Sequence, residues 1–155
     1  MFSLIISIIA IALVAALALA SIYYGGDAFQ TGTVKAEAST IINQGQQVQA
    51  AVTMSEIDEK GYFDDPTETD LSPLVAGNYL KEIPQVRDNG GWVKISGADR
   101  IEMPVHNGDI CMEIEKQFDG SMAPPPSTGP LPQAFGCHID PADPSNPTFT
   151  AYFNL

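Results

Sequence analysis

The sequence predicts an α+β protein: a long N-terminal helix, apolar in its first half, packed on a small antiparallel sheet. Three observations lead there. Phe2 to Tyr24 carries no charge, and the first charged side chain is Asp27. Val34, Ala38, Ile41, Gly45, Val48 and Val52 recur at helical spacing and form one apolar stripe. Arg100 to Val105 and Thr148 to Leu155 alternate apolar and polar residues, the period of half-buried strands. The expected division is an apolar helix over 1–26 and a head over 27–155. Within the head, a helix fills 27–60, a loop 61–90, and the sheet and cysteine region 91–155.

As a helix, the apolar stretch of about 24 residues rises about 36 Å, enough to cross a hydrocarbon core of about 30 Å. Three readings compete for it. A signal peptide needs a basic start and a short apolar run. The basic start is missing, although Ala18-Leu19-Ala20 resembles a cleavage site. An ordinary membrane anchor carries Lys or Arg on its cytoplasmic flank, and none precedes Lys35. The third reading is a processed N-terminus at Met1, whose basic leader has been removed. Gly25-Gly26 then follows, and each glycine weakens a helix by about 1 kcal/mol relative to Ala. The pair reads as a kink or melted stretch, or as a plain linker.

The head is acidic. The chain holds 7 Lys and Arg against 19 Asp and Glu, a net charge of −12. That balance argues against direct nucleic-acid binding and against docking on anionic head groups. Cys111 and Cys137 both lie in the head; an exported domain with an even pair reads as one disulfide, and the competing reading is two reduced core thiols. No phosphate loop, nucleophile elbow, C-x-x-C or H-E-x-x-H motif occurs. No enzyme and no cofactor is expected. His106 and His138 read as surface loop residues.

The stripe helix fades over Met54 to Lys60, with Gln44, Gln46, Gln47 and Gln49 off the stripe. Gly61 to Asp70 is an acidic turn-rich loop whose carboxylates (Asp64, Asp65, Glu68, Asp70) read as solvated. A short helix starts after Asp70, with Pro73 in its first turn. Gly91 to Ser96 and Arg100 to Val105 read as strands joined by a turn at Gly97-Ala98-Asp99. Pro104 donates no hydrogen bond and marks a sheet edge. Asn107 caps a helix through Phe118 with Ile110, Cys111, Ile114 and Phe118 on one face, and Gly120 stops it. The proline-rich Met122 to Gln133 forms no regular structure. His138 to Pro147 is turn-rich and acidic.

Phe2 to Tyr24 resembles the start of a mature type IV pilin. The order that follows supports the resemblance over the whole chain: the stripe helix, YLKEIP at residues 79–84, the Cys-bearing ICMEIEKQ at 110–117, and the last strand. The resemblance implies an apolar helix that sits in the inner membrane and then packs in a filament core. Phe2, Leu4, Ile5, Ile8, Ile9, Leu13, Leu17 and Ile22 would make that packing. It also implies a disulfide-closed C-terminal loop and helix melting near Gly25 and Gly26. The implied partners are further copies of the chain, the inner-membrane pilus assembly machinery and a prepilin peptidase. The family usually carries Glu at its fifth residue, where this chain has Ile5. Either Ser3 or Ser7 satisfies the terminal amine instead, or the chain is a divergent or minor subunit. Related pseudopilins bind calcium in a C-terminal loop, which makes Asp140 and Asp143 minor calcium candidates. The implied function is structural, in a motility, adhesion, DNA-uptake or conjugation pilus. The alternatives are a pseudopilin of a type II secretion-like system and a membrane-anchored periplasmic binding domain.

Overall fold

A computed structural model describes residues 2–58, 69–86, 90–120, 132–140 and 148–155, with only the backbone of Asp27, Asp119 and Asp140. The chain order is α1 (Phe2–Ile57), α2 (Ser72–Ala76), β1 (Val93–Lys94), β2 (Arg100–Val105), α3 (Gly108–Asp119), β3 (Phe135–Asp140) and β4 (Thr148–Asn154). Two compact units divide at Val34 and Lys35. The expected boundary at Gly26 therefore moves along α1, because Ala28 to Thr33 stay exposed and helical like the residues before them.

The helix runs unbroken through Gly25 and Gly26. The expected interruption there is corrected to continuous helix. Long runs of Ala, Leu and Ile on the N-terminal side favour it, and helix propagation adds a hydrogen bond per residue. The two glycines weaken the segment without ending it.

In the head, the stripe is legible residue by residue. Ala38, Ile41, Val48 and Val52 are buried, together with Ile42, Ala51 and Ser55 between and beyond them. Gly45 sits at the closest approach: a Cβ there would fall 2.2 Å from the Phe153 ring. Off the stripe, Gln49 donates to the Asn154 carbonyl at 2.9 Å, and Gln44 donates to the Gln85 carbonyl at 3.2 Å. These two amides bind the head's own backbone, whereas Gln46 and Gln47 are exposed.

The sheet has strand order β1-β2-β4-β3, all neighbours antiparallel. Ile101, Met103 and Val105 stand opposite Phe153, Ala151 and Phe149, and those in turn face Phe135, Cys137 and Ile139. Directly opposite residues share a face, so these nine line one side. The hairpin turn between β1 and β2 closes as its residues require, with Gly97 at φ 73° and Ile95 donating to the Arg100 carbonyl. Three expectations change. The first strand shortens to Val93–Lys94. The strand bearing Pro104 is internal to the sheet, but β1 pairs only with Ile101 and Glu102, so Pro104 lies where that side has no strand. His138 is not a loop residue: it sits on β3 and is buried.

The short helix after Asp70 ends at Ala76, ahead of YLKEIP, because Asn78 turns to φ 63° and Tyr79 and Leu80 both donate to the Leu74 carbonyl. Tyr79 Oη donates to Asp58 Oδ2 at 2.7 Å, tying this turn to the residue after α1. The acidic residues Asp64, Asp65 and Glu68 lie outside the described residues. Asp70 accepts from the Ser72 hydroxyl and from the Ser72 N–H, and these bonds hold its carboxyl below the usual carboxylate range.

Two outcomes follow from these contacts. Gly45→Ala incurs roughly 1–3 kcal/mol of overpacking against Phe153, opposed by about 1 kcal/mol of helix propensity, and lowers Tm. Gly32→Ala, with nothing within 4 Å of the added Cβ, leaves Tm unchanged or raises it; calorimetry of the detergent-solubilised chain compares the two. For Asp70, the depressed folded-state pKa gives stability that is present above the ordinary carboxylate pKa and lost as pH falls through the lowered one. The Tm deficit of Asp70→Asn is therefore seen at about pH 7 and closes in acid.

Candidate functional site

Within the N-terminal unit, the candidate surface is the apolar helix itself. Phe2, Leu4, Ile5, Ile8, Ile9, Leu13, Leu17 and Ile22 all project from α1, with exposures from 52% at Ile5 to 84% at Phe2. Ile6, Ile11, Val14 and Leu19 lie between them and are equally open. Apolar residues thus occupy every side of the helix. A helix of this kind is stable in water only when its surface is covered. Its length and hydropathy suffice to cross a membrane. Ser7 Oγ donates to the Ser3 carbonyl at 3.0 Å, so that hydroxyl proton is spent within the helix. Met1 lies outside the described residues.

In the head, the candidate surface rests on the cysteine region. Cys111 on α3 and Cys137 on β3 form a disulfide with Cα atoms 5.5 Å apart, and both are fully buried. The local sequence places each partner. Asn107 caps α3 by accepting from the Asp109 N–H at 2.9 Å, and Gly120 ends it at φ 76°. Gly108 fits because a Cβ would meet the Phe149 ring at 2.8 Å. Phe118 meets Phe135 edge to face, with centroids 5.3 Å apart.

Beside the disulfide, the buried Glu115 side chain accepts from the Cys137 N–H at 2.5 Å. This carboxylate fills the backbone position that another strand would occupy on the outer side of β3. Gly136 makes room for it: a Cβ there would lie 2.6 Å from Glu115 Oε1 and 2.7 Å from the Tyr152 hydroxyl. Tyr152 is fully buried, and the His138 ring tilts against it at 5.8 Å. On the opposite edge of α3's start, His106 Nε2 faces Glu37 Oε2 at 3.7 Å.

Strand β3, Glu115 and Gly136 escape sequence reasoning. Residues 134–137 carry no strand signal, His138 to Asp140 read as the start of a turn-rich stretch, and nothing in the sequence singles out Glu115. The one available signal was the cysteine, which had to be buried once paired. Of the calcium candidates, Asp140 ends β3 and Asp143 lies outside the described residues. Among the described residues, no group of three His, Cys, Asp or Glu is placed to hold a metal. Comparisons with protein-family models, with curated proteins and with solved structures find no match to this chain.

The disulfide and the carboxylate act on different states. Removing the cross-link with Cys111→Ser and Cys137→Ser restores loop entropy to the unfolded chain and costs roughly 3–4 kcal/mol. Glu115→Ala leaves the Cys137 N–H buried without its acceptor and costs about 1–3 kcal/mol, while Glu115→Gln, which keeps an oxygen, costs less. Urea unfolding of the three variants measures these differences.

Proposed function

We propose that the chain is the structural subunit of a type IV pilus-like extracellular filament. The observation that carries this reading is the apolar helix exposed on every side, joined to a disulfide-bonded acidic head. Before assembly the helix lies in the inner membrane. Afterwards Phe2, Leu4, Ile5, Ile8, Ile9, Leu13, Leu17 and Ile22 pack against other copies. Burial from water yields about 25 cal/mol per Å² of apolar surface. Lipid already shields the helix, so the gain on leaving the membrane is smaller. Extraction therefore calls for a powered assembly machine. Ile5 leaves the terminal amine without the carboxylate that the family usually supplies, and Ser3 and Ser7 offer oxygen acceptors in its place. The disulfide favours a pilin over a calcium-bound pseudopilin.

Electron microscopy of sheared cell-surface material, with mass identification of its protein, tests the reading. Long thin filaments containing this chain, with an N-terminal peptide beginning at Met1 or its methylated form, are expected. Recovery from the membrane fraction alone, with no filaments in expressing cells, overturns the filament role.

A further inference from the structure

The apolar stretch of α1 has a marked end. Phe2 to Ile22 spans about 21 residues and so about 31 Å, the thickness of a bilayer's hydrocarbon core. Tyr23 and Tyr24 come next, 77% and 76% exposed. Their rings meet edge to face with centroids 5.5 Å apart. Successive helical residues point about 100° apart, so the pair covers a wide sector of the helix. Gly25 and Gly26 follow, with nothing within 4 Å of a built Cβ, and then Asp27, the first charge. The residue types thus change in the order of a bilayer's own layers: hydrocarbon, hydroxyl-bearing aromatic, then charge and water.

The occupant is argued from the surface. A protein groove covers one side of a helix, yet apolar residues stand on all sides of this one. Further copies in a filament and a lipid bilayer both cover every side, but only the bilayer is layered along the helix axis as hydrocarbon, interface and water. Tyrosine rings favour the head-group level, where the ring is in apolar surroundings and the hydroxyl is wet. Residues 1–34 contain no Lys or Arg, so within that span no charge pairing with anionic lipid sets the depth.

We propose that Tyr23 and Tyr24 form a bilayer-interface anchor that fixes the depth of α1, with Phe2 to Ile22 in hydrocarbon and Gly25 to Asp27 at the head-group level. This rests on the membrane stage of the function proposed above. The partner is the lipid surface itself, and phosphatidylcholine serves as well as an anionic lipid.

The test reconstitutes the full chain in phosphatidylcholine vesicles whose acyl chains are brominated either near the glycerol or near the methyl end. Tryptophan is introduced by Tyr24→Trp or by Leu13→Trp. The quenching of the unsubstituted chain, whose one tryptophan is Trp92, is subtracted. Tyr24→Trp is expected to be quenched about twofold or more better by the shallow bromines, and Leu13→Trp by the deep ones. With Tyr23→Ala and Tyr24→Ala added, the Leu13→Trp depth profile shifts or broadens. Deep quenching at position 24, or an unchanged profile after both alanines, overturns the anchor while leaving a membrane-spanning helix in place. No quenching at either position overturns the anchor and the membrane stage together. A lack of filaments in cells does not alter the quenching result, so the two readings fail separately.

Discussion

The head depends on one aromatic side chain meeting one missing side chain. Phe153 on β4 presses its ring into the space that Gly45 leaves on α1. The same ring stacks on Phe135 at 5.2 Å and meets Trp92 edge to face at 5.5 Å. Its strand neighbour across the ladder is Ile101. One side chain therefore joins the helix, both flanking strands and the segment before β1. Aromatic contacts of this kind add to the area they bury. Gly45 would be a poor helix residue anywhere else. Here its lost propensity is offset by the close approach of helix and sheet.

The two halves of α1 solve opposite problems with the same backbone. From Ala38 onward the helix has an inside and an outside, and its inside is narrow and partly made of small residues. Before Val34 it has no inside at all. Hydrogen bonding along the backbone is identical in both, so the difference lies entirely in which solvent suits the side chains. This is why glycine means different things along one helix. Gly45 is required by a neighbouring ring, whereas a Cβ at Gly25, Gly26 or Gly32 would meet nothing among the described residues.

Much of this was readable from residue order. The apolar run, the stripe, the Asn107 cap, the Gly120 stop and the alternation in β2 and β4 are local patterns, and local patterns survive folding. What could not be read was long-range. Strand β3 exists because β4 offers it a ladder and α3 offers it a disulfide, and neither is visible in FGCHID. Tyr152 sits on the polar side of an alternating strand yet is fully buried, and Gly136, opposite it on β3, leaves the space its hydroxyl occupies. The glycine pair at 25–26 misled for the opposite reason. It is a strong local signal, outweighed by the cooperativity of a long helix. The exposed apolar surface of the first half of α1 was legible as composition, because an unbroken run of apolar residues leaves no polar side on a helix.

The link between Cys111 and Cys137 also decides how the chain tolerates change. It closes a stretch with sequence separation 26, anchored by α3 at one end and β3 at the other. Lengthening such a closed stretch costs only about 0.6 kcal/mol per doubling. A peptide bond cut anywhere between the cysteines leaves both fragments covalently attached. The pairing of Cys111 with Cys137 therefore keeps α3 and β3 in one molecule even when the covalent path along the backbone between them is broken.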